Sequence, residues 1–257
     1  MSELGPYFEL RDEAFVPRPH ARNPWSATML HGRLLAGLAA RHVGQAYEDD
    51  RFRVARLTVD MFRAPPMAPV SVASRLIRDG RRVRMAEVQL SAGAVTYCHV
   101  SALILARGAP PAGAIWSPPP WSVPPPGALA GPEPDMRSGT EVRTISGART
   151  AAEPHRAWLR DTCPLVAGEE LTPAVRAMIA ADFASPFALA GDRGLEFINA
   201  DITLYLGRVP RGEWIGLESG GHVADAGTGL GLCAMYDAGG PVGYVAAAAL
   251  ANGRIGS

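Results

Sequence analysis

The 257-residue sequence contains no lysine; all 25 of its cationic side chains are arginine. Schiff-base lysine chemistry and the Walker-type phosphate loop both need the ammonium group, so both are excluded. Cysteine is scarce. Cys98, Cys163 and Cys233 are odd in number, far apart and without a CxxC pair, so neither a disulfide framework nor a zinc ribbon is expected. Net charge is absent too, since 25 acidic side chains balance the arginines. The one basic run, Arg81-Arg82-Val83-Arg84, reads as a solvated strand face beside a turn, and nucleic acid is not an expected partner. No apolar stretch approaches the roughly 20 residues that span a bilayer; the longest runs from Tyr244 to Ala251. The first residues are charged from position 3 and carry no apolar signal core. These absences together lead to the expectation of a soluble, cytoplasmic protein without membrane attachment.

What is present is enough apolar side chain (47%) to build a large core, and a pattern that occurs twice. Arg63-Ala64-Pro65 ends one β-like run and Arg208-Val209-Pro210 ends another. From each arginine it is 42 residues to an aliphatic strand end, at Leu105 and at Leu250. A helix-like segment precedes each copy. Two similar modules that need each other to bury their faces are the simplest reading.

In the first module, Tyr7 to Val16 reads as a strand and Asn23-Pro24-Trp25 as a turn. A small-residue helix is expected from about Met29 to Gln45, close-packed against another element, most simply a sheet. Leu57, Val59 and Met61 alternate with polar residues, the period of a half-buried strand. Val70–Arg78 and Arg82–Leu90 are joined through Asp79-Gly80 as a hairpin, with a bulge near Ala86-Glu87 where the apolar phase slips. Val95–Leu105 closes the module. Between Ala109 and Pro134 lie ten of the 23 prolines, with Trp116 and Trp121 among them. This is a semi-rigid linker tacked to the surface by its tryptophans.

The second module repeats the plan. Strands are expected near Glu141–Ile145 and His155–Arg160, then a helix capped by Thr172 with Pro173 at its first position and stopped by Pro186. Strands follow over Phe197–Leu206, Trp214–Ser219, Gly227–Tyr236 and Val242–Leu250. The last looks helical by propensity, but its equivalence to Val95–Leu105 makes it a strand. A long helix followed by an antiparallel meander, used twice, predicts an α+β double hotdog: two modules, 1–108 and 137–257, forming one continuous curved sheet, joined by a linker at 109–136. Pairing edge to edge removes two exposed edges.

Asp182 is the sharpest candidate for chemistry. Val175, Met178, Ile179 and Phe183 mark the apolar stripe of the second helix, and Asp182 falls inside it, seven residues after Val175. A carboxylate facing a core is costly unless paired or protonated, and a helix C-terminus disfavours a further negative charge. Both effects raise its pKa toward the range of a general base; the alternative is a carboxylate capping a backbone N–H or pairing with an arginine. His31-Gly32, at the start of the first helix, could offer backbone N–H groups to an oxyanion, or could serve packing alone. Asn199, just ahead of the Asp201–Leu206 run, could orient a water or a carbonyl, or be a turn residue. Gly227-Thr228-Gly229-Leu230-Gly231 is not followed by a helix and reads as strand. GxSxG, HExxH and the aspartate–histidine motif of hotdog hydratases are all missing.

These residues resemble the bacterial acyl-CoA thioesterase II family of double-hotdog hydrolases. The matching pieces are His31-Gly32, Met61-Phe62-Arg63-Ala64-Pro65, Leu76-Ile77-Arg78-Asp79-Gly80-Arg81, Ala181-Asp182-Phe183, Asn199-Ala200-Asp201, and Arg208-x-Pro210 with Gly212-Glu213-Trp214. The resemblance implies an acyl-CoA substrate, no metal or redox cofactor, and a homo-oligomer. In that family an aspartate, a threonine and a glutamine hold the attacking water. Asp182 stands at the aspartate position and Asn199 at the threonine position, which makes these two the catalytic candidates. His31, Gly32 and Met61 are the substrate-binding candidates. The glutamine falls on the last strand, where this chain has Ala246, Ala247 and Ala248. Loss of one such group commonly costs about 10²–10³ in rate, so a protein that binds acyl thioesters without turnover is the alternative expectation.

Overall fold

A computed structural model describes residues 4–131, 139–147 and 153–252; the expected boundary between linker and second module, at 136–137, lies outside the described residues. The chain starts with a hairpin, β1 (Phe8–Arg11) and β2 (Ala14–Pro17), in place of the single strand expected there. Asp12 and Glu13 turn it with φ of 45° and 66°, a left-handed pair that no glycine announced. β3 (Arg22–Asn23) and β4 (Ser26–Leu30) flank the Pro24-Trp25 turn. Met29 and Leu30 therefore end a strand, and α1 runs from Gly32 to Tyr47.

The first meander consists of β5 (Phe52–Met61), β6 (Ser71–Asp79), β7 (Val83–Ala92) and β8 (Val95–Ala106). The bulge of this hairpin lies in β6, between Leu76 and Arg78, opposite Met85 and Ala86, and not near Ala86-Glu87 of β7; β7 keeps one phase, burying Ala86, Val88 and Leu90 while Val83 and Met85 stay partly exposed. In the second half β9 (Thr140–Ser146) and β10 (Arg156–Asp161) precede α2 (Pro173–Ala181). Thr172 caps α2, its hydroxyl accepting from the Val175 N–H at 3.3 Å. Pro186 does not end this helix. It sits in the first turn of α3 (Ala184–Leu189), where a missing N–H is tolerated, and the break falls earlier, at Asp182-Phe183. Short strands β11 (Ala190–Gly191), β12 (Gly194–Leu195) and β13 (Phe197–Asn199) lead into β14 (Asp201–Leu206), β15 (Ile215–Asp225), β16 (Thr228–Asp237) and β17 (Gly240–Ala251). Of the glycine run, residues 228–231 are strand and Gly227 turns the chain into them with a φ of 80°; the alanine-rich segment that propensity would make a helix is strand too.

One antiparallel sheet contains both meanders, in the order β6-β7-β8-β5-β14-β17-β16-β15-β10-β9, with β13 also on β17. Outward from the β5–β14 seam the two halves read identically: first, fourth, third and second strand of each meander. The seam pairs Thr58 with Thr203 and Asp60 with Asp201, and the two threonine hydroxyls are 3.1 Å apart. This is the double hotdog, with the duplicated pattern built into a near-symmetric sheet. The close-packing face of α1 lies partly against the other helix, not only against sheet. A Cβ on Gly37 would stand 2.9 Å from Ile179 Cγ1 of α2, so glycine is what lets the helices approach. Leu34, Leu38, Met178 and Ile179 are fully buried there.

The linker is held by one of its two tryptophans. Trp121 stacks on Tyr236 with ring centroids 4.5 Å apart and meets Trp158 edge-on at 4.8 Å. Trp158 in turn donates its indole N–H to the Pro124 carbonyl at 3.0 Å. Trp116 is 83% exposed and tacks nothing. Trp121 fits because position 216 has no side chain: a Cβ there would collide with the indole ring. Gly216→Val should therefore lift the strap off the sheet and cost about 1–3 kcal/mol, the usual penalty of overpacking. Thermal unfolding reads the loss, and a red shift of tryptophan emission reports the displaced ring. An unchanged melting temperature with unshifted emission would show that the strap contributes nothing.

Candidate active site

The break between α2 and α3 places a carboxylate where a helix would otherwise bury an apolar residue. Asp182 keeps helical dihedrals (φ −62°, ψ −25°) as the C-cap that follows Ala181, and Phe183 carries the chain into α3. Its side chain lines a cleft of about 1170 Å³ formed where the β3–β4 region and the start of α1 face the α2–α3 break and β13. Asp182 is the one carboxylate among the described residues lining that cleft. The carboxyl is enclosed by protein, with 16% of its side chain still accessible, and burial pushes its pKa up from 3.8 to about 6. The Arg33 guanidinium and a hydrogen bond from the Asn199 amide hold it from rising further. It is neither in bulk solvent nor locked in an ion pair with an arginine.

His31 comes from the residue before α1. Its Nδ1 lies 3.7 Å from Asp182 Oδ2, too long for a hydrogen bond. Burial, with Arg33 adding to it, lowers its pKa to about 3, so the ring beside Asp182 is neutral at physiological pH. The His31 backbone N–H donates to Ala21 O at 3.0 Å. Of the two amides expected to face an oxyanion, His31's is thus already used. Gly32 lines the cleft and its N–H has no partner among the described residues, as the first turn of a helix leaves it.

Asn199 ends β13 and is paired with Ala249 of β17. Its Nδ2 also faces Met61 Sδ at 3.8 Å, and the same sulfur stands 3.5 Å from where a Cβ of Gly32 would be. His31, Gly32, Met61, Asp182 and Asn199 therefore surround one cavity, although they come from both modules. The alanines of β17 do not join them. Ala247 is fully buried in a small cluster with Leu189 and Ala249, Ala248 faces outward, and none of Ala246, Ala247 and Ala248 lines the cleft.

Sequence reasoning missed four further residues at this cleft. His20 Nε2 and Ser185 Oγ, together with His31 Nδ1, are buried and have no hydrogen-bond partner, and all three residues line the cavity. At its mouth Arg22 and Arg63 are exposed and make no ion pair among the described residues. Only Arg63 carried a signal, as part of the repeated Arg-x-Pro pattern. Among the described residues no group of three or more His, Cys, Asp or Glu side chains is placed to hold a metal ion, and no helix is long and apolar enough to cross a membrane.

Residues 21–106 match the acyl-CoA thioesterase N-terminal domain and residues 117–250 the acyl-CoA thioesterase C-terminal domain. No curated protein matches the chain. Among solved structures, the tesB protein of Mycobacterium avium subspecies paratuberculosis aligns with a TM-score of 0.68 at 15% identity, over 94% of either chain. A hot dog fold protein of Alicyclobacillus acidocaldarius aligns with a TM-score of 0.71 at 13% identity, over 93% of either chain. The acyl-CoA thioesterase II TesB2 of Mycobacterium marinum gives 0.62 at 18% identity, over 85% of this chain and 89% of its own. At such identities the structural likeness speaks for the fold. The two domain matches, which between them span most of the chain in the order of its two modules, show that it belongs to the acyl-CoA thioesterase family.

Proposed function

We propose that the protein hydrolyses an acyl-CoA thioester to free acid and CoA by direct attack of water. The observation that carries this reading is Asp182: a lone carboxylate on the wall of a roomy cleft, its pKa raised to about 6 by burial. At pH 7 such a group is mostly ionised yet basic enough to take a proton, which is what a general base needs. Asn199 fixes the carboxylate. The free N–H of Gly32 and the positive end of α1 would receive the charge that develops on the thioester oxygen. The carbonyl carbon gains a bond to the water oxygen, Asp182 takes the proton, and the C–S bond breaks with that proton passing to the departing thiolate. Thiol release from acyl-CoAs of different chain length, with Asp182→Asn in parallel, tests the reading; no release from any of them would refute it.

Arg22 and Arg63 support a coenzyme A thioester over a simpler one. They are unpaired cations at the mouth of the cleft, where the phosphates of a bound coenzyme would lie. Arg22→Ala and Arg63→Ala should each raise KM for an acyl-CoA about 10-fold with kcat unchanged, more at low salt. With the matching acyl-pantetheine, which has no phosphate, neither substitution should matter. An equal effect on both substrates would remove the phosphates from the argument.

A second reading, acyl-thioester binding without turnover, has one observation in its favour: Ala247 of β17 is sealed under Leu189 and offers no water-holding group. Binding of an acyl-CoA with no thiol release would favour it. An apolar strip on the outer sheet face, including Leu230, Leu232, Tyr205 and Tyr244, supports a homo-oligomer, to be measured by light scattering.

A further inference from the structure

Resting on the hydrolytic reading, we propose that Ser185 is a further catalytic residue, one that holds the attacking water together with Asp182. Ser185 is 3% exposed, lines the cleft, and its Oγ is buried with no hydrogen-bond partner. A serine within a helical turn ordinarily satisfies its hydroxyl on the carbonyl three or four residues back. This one does not, and a buried hydroxyl without a partner is costly. The cleft that Ser185 lines can supply that partner as water.

The geometry of the α2–α3 break ties the hydroxyl to the carboxylate. The Ser185 N–H donates to the Asp182 carbonyl at 3.2 Å, so the two residues occupy positions i and i+3 of one helical turn and project on the same side. Asp182 and Ser185 also both border the cavity into which His31 Nδ1 points without a partner. A water lodged between them gives one hydrogen to the Asp182 carboxylate and accepts the Ser185 O–H on one lone pair. Its other lone pair is left to attack the carbonyl carbon. The covalent balance is that of the hydrolysis itself, with Ser185 forming no bond to the acyl group.

The position of α3 explains why this group comes from a helix and not from the last strand. Leu189 of α3 covers Ala247, and a Cβ on the facing Gly231 of β16 would stand 2.9 Å from Ala188. The helix that closes the strand off from the cavity presents its own hydroxyl instead.

The test compares the full-length parent with Ser185→Ala and Ser185→Thr, using the acyl-CoA the parent releases best and Asp182→Asn as reference. Ser185→Ala should lose about 100-fold in kcat with KM within a few-fold, and Ser185→Thr, which keeps the hydroxyl, should recover most of it. The midpoint of the pH profile should stay near 6 in both, because the base is unchanged. A Ser185→Ala variant with the parent's kcat, while Asp182→Asn is dead, overturns the proposal and leaves the hydrolase reading intact. A crystal structure of the parent gives a second measurement that does not depend on turnover. A water within hydrogen-bond distance of both Ser185 Oγ and the Asp182 carboxylate is expected, and a hydroxyl turned instead onto the Ala181 carbonyl overturns the proposal.

Discussion

Asp182→Asn is expected to abolish thiol release and, above pH 6, to leave a more stable protein than the parent. A positioned general base contributes about 10²–10⁴ in rate, so the variant should fall at least 100-fold in kcat. The stability effect follows from the same burial. Because the folded-state pKa is raised, from 3.8 to about 6, the folded chain holds a proton that the unfolded chain has already released. Stability is therefore lost as pH rises through that window, and the loss is complete above it. The displacement corresponds to roughly 3 kcal/mol. Asparagine mimics the protonated form and can still accept the Asn199 hydrogen bond, so the variant avoids the loss. Its advantage should be largest near pH 8 and vanish near pH 4, as read from chemical denaturation at the two pH values. Parent activity should rise with pH around a midpoint near 6. His31 adds no second limb there, its pKa being held near 3. A variant whose advantage over the parent is no larger at pH 8 than at pH 4 would mean that the carboxylate is solvated well enough to ionise freely, and the proposed base would lose its physical basis.

How much of this was legible beforehand depends on how far apart in sequence the interacting parts are. The duplicated Arg-x-Pro spacing located both meanders, and it overrode helix propensity correctly in the alanine-rich strand β17, where sheet pairing on both sides decides the conformation. Thr172-Pro173 marked a real helix start. The misreadings were local turns whose chemistry is unusual. Asp12 and Glu13 adopt left-handed dihedrals without glycine, and Pro186 sits inside a first turn instead of after a last one. At the site, the helical stripe singled out Asp182 because a charge broke an apolar period. The Ser185 hydroxyl breaks no pattern, since serine is unremarkable beside proline; only the cavity makes its isolation visible. On the last strand the sequence shows only alanines where the resemblance puts a glutamine. That Ala247 is sealed beneath Leu189 depends on a helix some sixty residues away in sequence and could not be read from the strand.

Arg33→Met should be strongly destabilising and should also move the chemistry. Arg33 leaves the first turn of α1 with 1% of its side chain exposed and donates to Asp161 Oδ1 of β10 at 2.7 Å. Tyr7 and Thr140 complete the cluster: the tyrosine hydroxyl accepts from Arg33 at 3.1 Å, and the Thr140 hydroxyl donates to Asp161 at 2.8 Å. One buried ion pair thus joins the helix of the first module to a strand of the second. Methionine fills the volume but strands the Asp161 carboxylate in a dry interior, a loss of about 3–5 kcal/mol. Arg33→Met with Asp161→Leu should recover most of it, because removing both charges leaves neither uncompensated. The guanidinium also lowers the pKa of Asp182 from a distance, and its loss favours the protonated carboxyl. In the double variant, therefore, stability should return while the activity midpoint moves to higher pH than the parent's. Denaturation curves and pH–rate profiles on the same two variants separate the two roles. If the double variant had both the parent's stability and its midpoint, Arg33 would be a fastener between modules and nothing more. A raised midpoint with restored stability would mean that the charge closing the interface also sets the proton affinity of the carboxylate in the cleft.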